Sequence, residues 1–97
     1  MPARNVFETL GFGREEAANL RLRARLMMAL TEHIEARDLT QSEAAKVIGC
    51  SQPRVSNLMN GKINAFTVDF LVNALAQFGI NVDLVIGNAA EGTLEST

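Results

Sequence analysis

Residues 41–60, QSEAAKVIGCSQPRVSNLMN, decide the fold. Thr40 stands immediately before them and Glu43 three residues after Thr40, the spacing at which a hydroxyl and a carboxylate satisfy each other's orphan backbone donors at a helix start. Ala44, Val47 and Ile48 then fall on one face, and Gly49 supplies the left-handed conformation that a sharp helix exit needs. Ser51 is a second N-cap, with Pro53 tolerated in the first turn of a helix running from Gln52 to about Asn60 and ended by Gly61. Only a small side chain fits where two such helices approach most closely, and Ala45 is there. Val55, Leu58 and Met59 point back toward a core shared with Ala44, Ile48 and Cys50. Two short helices crossing at a tight turn in this way are a helix-turn-helix.

On the N-terminal side, a long helix is expected from Arg14 to near Arg37. Glu15 and Glu16 suit its positive first turn, and Leu20, Ala24, Met27, Thr31 and Ile34 recur at three and four. Asp38 and Leu39 form the link. Beyond the central pair, a loop from Lys62 to Phe66 leads to Thr67 as a cap. A further helix, Val68 to Phe78, carries Leu71, Val72, Leu75 and Phe78 and ends at Gly79. At Ile80 the period changes: Ile80, Val82, Leu84 and Ile86 alternate with other residues as in a half-buried strand. A lone strand needs a ladder partner. Either the same strand of a second copy supplies it across a two-fold axis, or the N-terminal arm does. The expected organisation is an arm over 1–13, a helical domain over 14–79, a dimerisation strand over 80–87 and a flexible tail over 88–97.

The 97 residues allow one domain and little room for an enclosed catalytic cleft. One cysteine, Cys50, excludes an intramolecular disulfide, and with one histidine, His33, no Cys/His zinc site can be assembled. No cofactor is implied. His33 on the long helix reads as a surface or structural residue, and a nucleophilic Cys50 lacks an identifiable base. Neither Gly11 nor Gly13 is followed by the lysine and hydroxyl of a phosphate-binding loop. The chain therefore reads as a non-enzyme. No secretory leader or membrane span is evident, so a cytoplasmic setting is expected.

Nine basic against eleven acidic residues give a net charge of −2 and a pI near 5.3, whereas a DNA-binding domain usually has a pI above about 9. The distribution reverses that impression. All nine bases lie between Arg4 and Lys62, leaving that part at +2, and residues 65–97 carry −4. No carboxylate occurs from Ala44 to Phe66, a stretch that holds Lys46, Arg54 and Lys62. A face without acids suits phosphates. With Val55, Leu58 and Met59 turned inward, the outward arc of the second short helix carries Pro53, Ser56, Asn57 and Asn60, flanked by Gln52 and Arg54. Gln52, Arg54, Ser56 and Asn57 are candidates to read base edges in a major groove, and Pro53 to touch a thymine methyl. For Arg54 a phosphate contact is the alternative. Ser51 and Asn60 border the same surface, while Gln41 and Lys62 lie where the duplex backbone should pass. Arg21, Arg23 and Arg25 spread around the long helix, either toward a partner or paired with glutamates.

From Asn5 to Gly87 the chain resembles the xenobiotic-response-element family of Cro- and lambda-repressor-like helix-turn-helix proteins. The resemblance is carried by Leu39-Thr40-Gln41, Ala44-Ala45, Ile48-Gly49, Ser51 to Ser56 and Asn60-Gly61-Lys62. Asn5-Val6-Phe7, Leu10-Gly11-Phe12 and Asn81 to Ile86 look like a subgroup of small HigA-like antitoxins. The resemblance implies a mainly α, lambda-repressor-like bundle of four to five helices with one C-terminal strand paired across a homodimer. It further implies binding to double-stranded operator DNA and neutralisation of a small RelE- or HigB-like ribonuclease toxin. Its groove-reading positions fall on Gln52, Ser56 and Asn57, and its backbone-contacting glutamine on Gln41. Stand-alone or prophage regulators share this appearance, and a protein-interaction module without DNA binding is the competing class.

Overall fold

In a computed structural model that describes residues 13–87, four α-helices follow one another. They are α1 (Arg14–Ala36), α2 (Gln41–Ile48), α3 (Gln52–Met59) and α4 (Val68–Gln77), with a 3-10 turn, Ile63–Ala65, between α3 and α4. The expected arm, apart from Gly13, and the expected tail over 88–97 lie outside the described residues.

The caps form as their spacing predicts. Thr40 Oγ1 accepts the Glu43 amide at 3.1 Å, and Glu43 Oε1 accepts the Thr40 amide at 2.8 Å. Ser51 Oγ accepts from the Arg54 amide at 3.3 Å, and Thr67 Oγ1 from that of Phe70 at 3.1 Å. Gly49 ends α2 at φ 87°, its amide donating to the Ala45 carbonyl at 2.8 Å. That left-handed conformation, disfavoured for any residue with a Cβ, sets the angle between α2 and α3. Two residues past the end of α1, Asp38 is also left-handed at φ 56°. Aspartate is among the few non-glycine residues that visit this region.

The core gathers Leu26, Met27, Leu30 and Ile34 of α1, Ala44 and Ala45 of α2, Val55 and Leu58 of α3, Phe66, and Leu71, Ala74, Leu75 and Phe78 at α4. The apolar stripe of α1 differs in part from the expected one. Ala24 and Thr31 are half-buried, and Leu26 and Leu30 take the inside positions. Val47, expected on the buried face of α2, is exposed. Two arginines tie distant segments to this core. Arg23 of α1 donates to the carbonyls of Ile63 at 2.9 Å and Phe66 at 3.3 Å, and Arg37 donates to the Phe78 carbonyl at 2.8 Å. The Ile63 carbonyl accepts from Arg23 in addition to the Phe66 amide at 3.3 Å, and the Phe78 carbonyl is one left over at a helix end.

Residues 80–87 form no strand within the single chain. The Ile80 amide donates to Leu75 O at 3.0 Å and its side chain packs on the core, so Ile80 closes the end of α4 instead of opening a ladder. From Asn81 to Gly87 no backbone hydrogen bond is made among the described residues. Leu84 and Ile86 are 80% and 82% exposed. The physical reason is that a strand's amides and carbonyls point sideways, and among the described residues no second strand receives them.

Candidate nucleic-acid interface

α2 packs against α3 through Ala44 and Ala45, whose small side chains allow the close crossing. With Val55 and Leu58 each 1% exposed, α3 is anchored along one side and presents the other to solvent. Gln52, Pro53 and Asn60 are exposed, and Ser56 and Asn57 are half-buried on the same arc. The side chains expected to read bases therefore share one surface, with Arg54 set apart on its flank. Ser51 is exposed, and its oxygen is occupied as an N-cap acceptor, which leaves its O–H free to donate. Gln41 is half-buried at the first turn of α2, and Lys62 is exposed just past α3, where its amide donates to the Asn57 carbonyl at 3.0 Å.

Arg54 stands differently. Its guanidinium carbon lies 4.8 Å from the Phe66 ring centroid and 4.6 Å from that of Phe70, and the two rings are 5.2 Å apart with a tilt of 40°. The guanidinium lies over both rings, an electrostatically favourable contact for a delocalised cation. Spacing does not single out either phenylalanine, because partners 12 and 16 residues away across a loop leave no periodic trace. Arg23 is the other residue whose role periodicity leaves open. Among the described residues it pairs with no glutamate: Asn19 Oδ1 accepts from its Nε at 2.7 Å, and its other bonds go to the carbonyls of Ile63 and Phe66.

No carboxylate occurs from Ala44 to Phe66, and exposed Glu43 and Asp69 flank that stretch. Lys46 and Lys62 are exposed there, and no salt bridge neutralises them among the described residues. Cys50 sits in the α2–α3 turn against the core. Burial pushes its thiol above the ordinary range, and the nearby Arg54 charge partly opposes that rise. No helix among the described residues is long and apolar enough to cross a membrane, and no group of three metal-ligating side chains comes together among them.

Two capped helices crossing at a left-handed glycine, with an exposed polar arc on the second, define a helix-turn-helix protein. A helix-turn-helix domain family model matches residues 9–87, and the chain belongs to that family, a class of DNA-binding transcriptional regulators. A solved structure described as an XRE family transcriptional regulator is similar to this chain at 32% identity and a TM-score of 0.71, covering 79% of this chain and 86% of that one. A search of curated proteins finds no match.

Proposed function

We propose that the protein is a homodimeric repressor that reads an operator through α3. The observation that carries this reading is the outward arc of that helix: amide and hydroxyl side chains, no carboxylate, on an element fixed by the Ser51 cap and a packed inner face. Gln52 and Asn57 suit adenine, Ser56 either base of a pair, and Pro53 a thymine methyl, with Asn60 at the far end of the arc. Gln41, Ser51 and Lys62 flank it as phosphate contacts. The C-terminal segment over 80–87 completes the dimer by antiparallel pairing of Val82, Leu84 and Ile86 with a second copy, Ile80 anchoring the strand to the core. Its exposed apolar side chains and unpaired backbone support this role.

Two α3 helices then address half-sites about one helical turn apart, roughly 34 Å. With two or three cationic contacts per protomer, the log-log salt slope for the dimer is about −4 to −5. Selection of duplexes from a randomised pool by the wild-type protein, followed by mobility shift across a salt series, tests the reading. Enrichment of a palindrome is expected, and failure to enrich any sequence overturns it.

Within this reading the protein is an antitoxin that represses its own operon and binds a small RelE- or HigB-like ribonuclease toxin. Support comes from the resemblance of its two ends to HigA-like antitoxins. Co-expression with a small adjacent reading frame and pull-down tests this part. Absence of such a reading frame favours a stand-alone regulator.

A further inference from the structure

We infer that Arg54 is a pre-organised clamp for a DNA phosphate and takes no part in reading bases. The inference rests on the DNA-binding reading above and assigns a different task to one residue of its surface. Three observations carry it. At about 100° per residue, Arg54 lies nearer the buried Val55–Leu58 side of α3 than the centre of the outward arc. Its guanidinium lies over Phe66 and Phe70, the ring centroids and the guanidinium carbon forming a triangle with sides of 4.6, 4.8 and 5.2 Å. Finally, its side chain donates to no protein acceptor among the described residues, and it forms no salt bridge with any carboxylate there.

A planar cation stacked by one face keeps its donors around the edge, in the fork that matches the oxygens of a phosphodiester. The support beneath it is fixed in turn. Phe66 is 2% exposed, and the Asn19–Arg23 pair holds its carbonyl and that of Ile63. An arginine held this way loses little rotamer freedom on binding, which favours affinity. It cannot also extend along α3 to a guanine edge without leaving both rings. Exposed Lys62, just beyond α3, adds a second cation for the backbone of the duplex.

The test compares wild type, Arg54→Gln, Arg54→Lys, Phe70→Leu and Gln52→Ala by fluorescence anisotropy on the duplex selected by the wild-type protein and on its single-base variants, from about 50 to 300 mM KCl, with thermal melts alongside. Arg54→Gln is expected to weaken every duplex by the same factor, on the order of tenfold, and to make the salt slope shallower by about one per protomer. Arg54→Lys keeps the slope and loses part of the affinity. Phe70→Leu keeps the slope and weakens binding about threefold, whereas Gln52→Ala changes the ranking of the single-base variants. The clamp is overturned if Arg54→Gln changes that ranking at an unchanged slope, which marks a base reader. It is also overturned if both Arg54 variants bind as wild type while melting lower, which marks a purely structural residue. If Arg54→Gln does not fold, Arg54→Lys and Phe70→Leu decide: altered base preference in either refutes the clamp. Wild-type protein that binds no duplex refutes the DNA-binding reading itself, a result distinct from the others.

Discussion

Of the stretches with regular apolar spacing, Ala44 to Leu58 is packed, whereas in Ile80 to Ile86 only Ile80 reaches the core. The difference lies in where backbone hydrogen bonds go. A helix closes its own bonds within the segment, so caps and an apolar face suffice to seat α2 and α3 on the core. A strand makes none internally, and Leu84 and Ile86 lie in solvent. The same side-chain regularity thus encodes intramolecular packing in one region and, in the proposed dimer, association between chains in the other.

The sharpest way to break that comparison is Leu84→Lys. In a two-fold interface the substitution acts twice. Removing a central apolar side chain from each copy, at about 2 kcal/mol apiece, raises the dimer dissociation constant roughly a thousandfold. Analytical ultracentrifugation should show monomers with unchanged far-UV dichroism, since Leu84 touches little of its own chain; a persistent dimer refutes strand pairing. Leu71→Ala acts on the packed region instead. Leu71 is 0% exposed, and its truncation should cost about 2–5 kcal/mol, lowering Tm by roughly 10 °C or more. A smaller shift would mean that α4 collapses readily onto α1.

The placement of helices was legible in the sequence because their punctuation is local. Thr40 with Glu43, Ser51, Thr67, Gly49 and Gly61 act within four residues, and α2, α3 and α4 begin and end within one residue of the positions those signals mark. The outward arc of α3 followed from the same periodicity. The contact of Arg54 with Phe66 and Phe70, and the bonds of Arg23 to the carbonyls of Ile63 and Phe66, were not legible, because loop geometry decides which distant side chains meet. The expected strand is missing from the single chain for a related reason: alternation reports which faces a segment offers, and pairing needs a partner that spacing does not name.

Thr40→Ala sharpens the comparison further. Loss of the capping box should cost about 1 kcal/mol in chemical unfolding, because one local hydroxyl starts α2. An unchanged midpoint would place the control of that start in tertiary packing alone. The smallest effect concerns Cys50. Its raised thiol value predicts slower reaction with a disulfide reagent at about pH 8 than a free cysteine shows, and slower still in Arg54→Gln, where the charge that partly lowers it is gone. Reaction as fast as free thiol would show that the turn between α2 and α3 opens readily.

The central claim is that the exposed arc of α3 selects sequence. Duplex selection from one randomised pool by wild type and by the Gln52→Ala, Ser56→Ala double variant tests it most directly. The predicted result is a palindromic wild-type consensus with half-sites about one turn apart, and a double-variant consensus degraded at specific positions, each contact contributing about 1–3 kcal/mol of discrimination. Recovery of the same consensus by both proteins would contradict it.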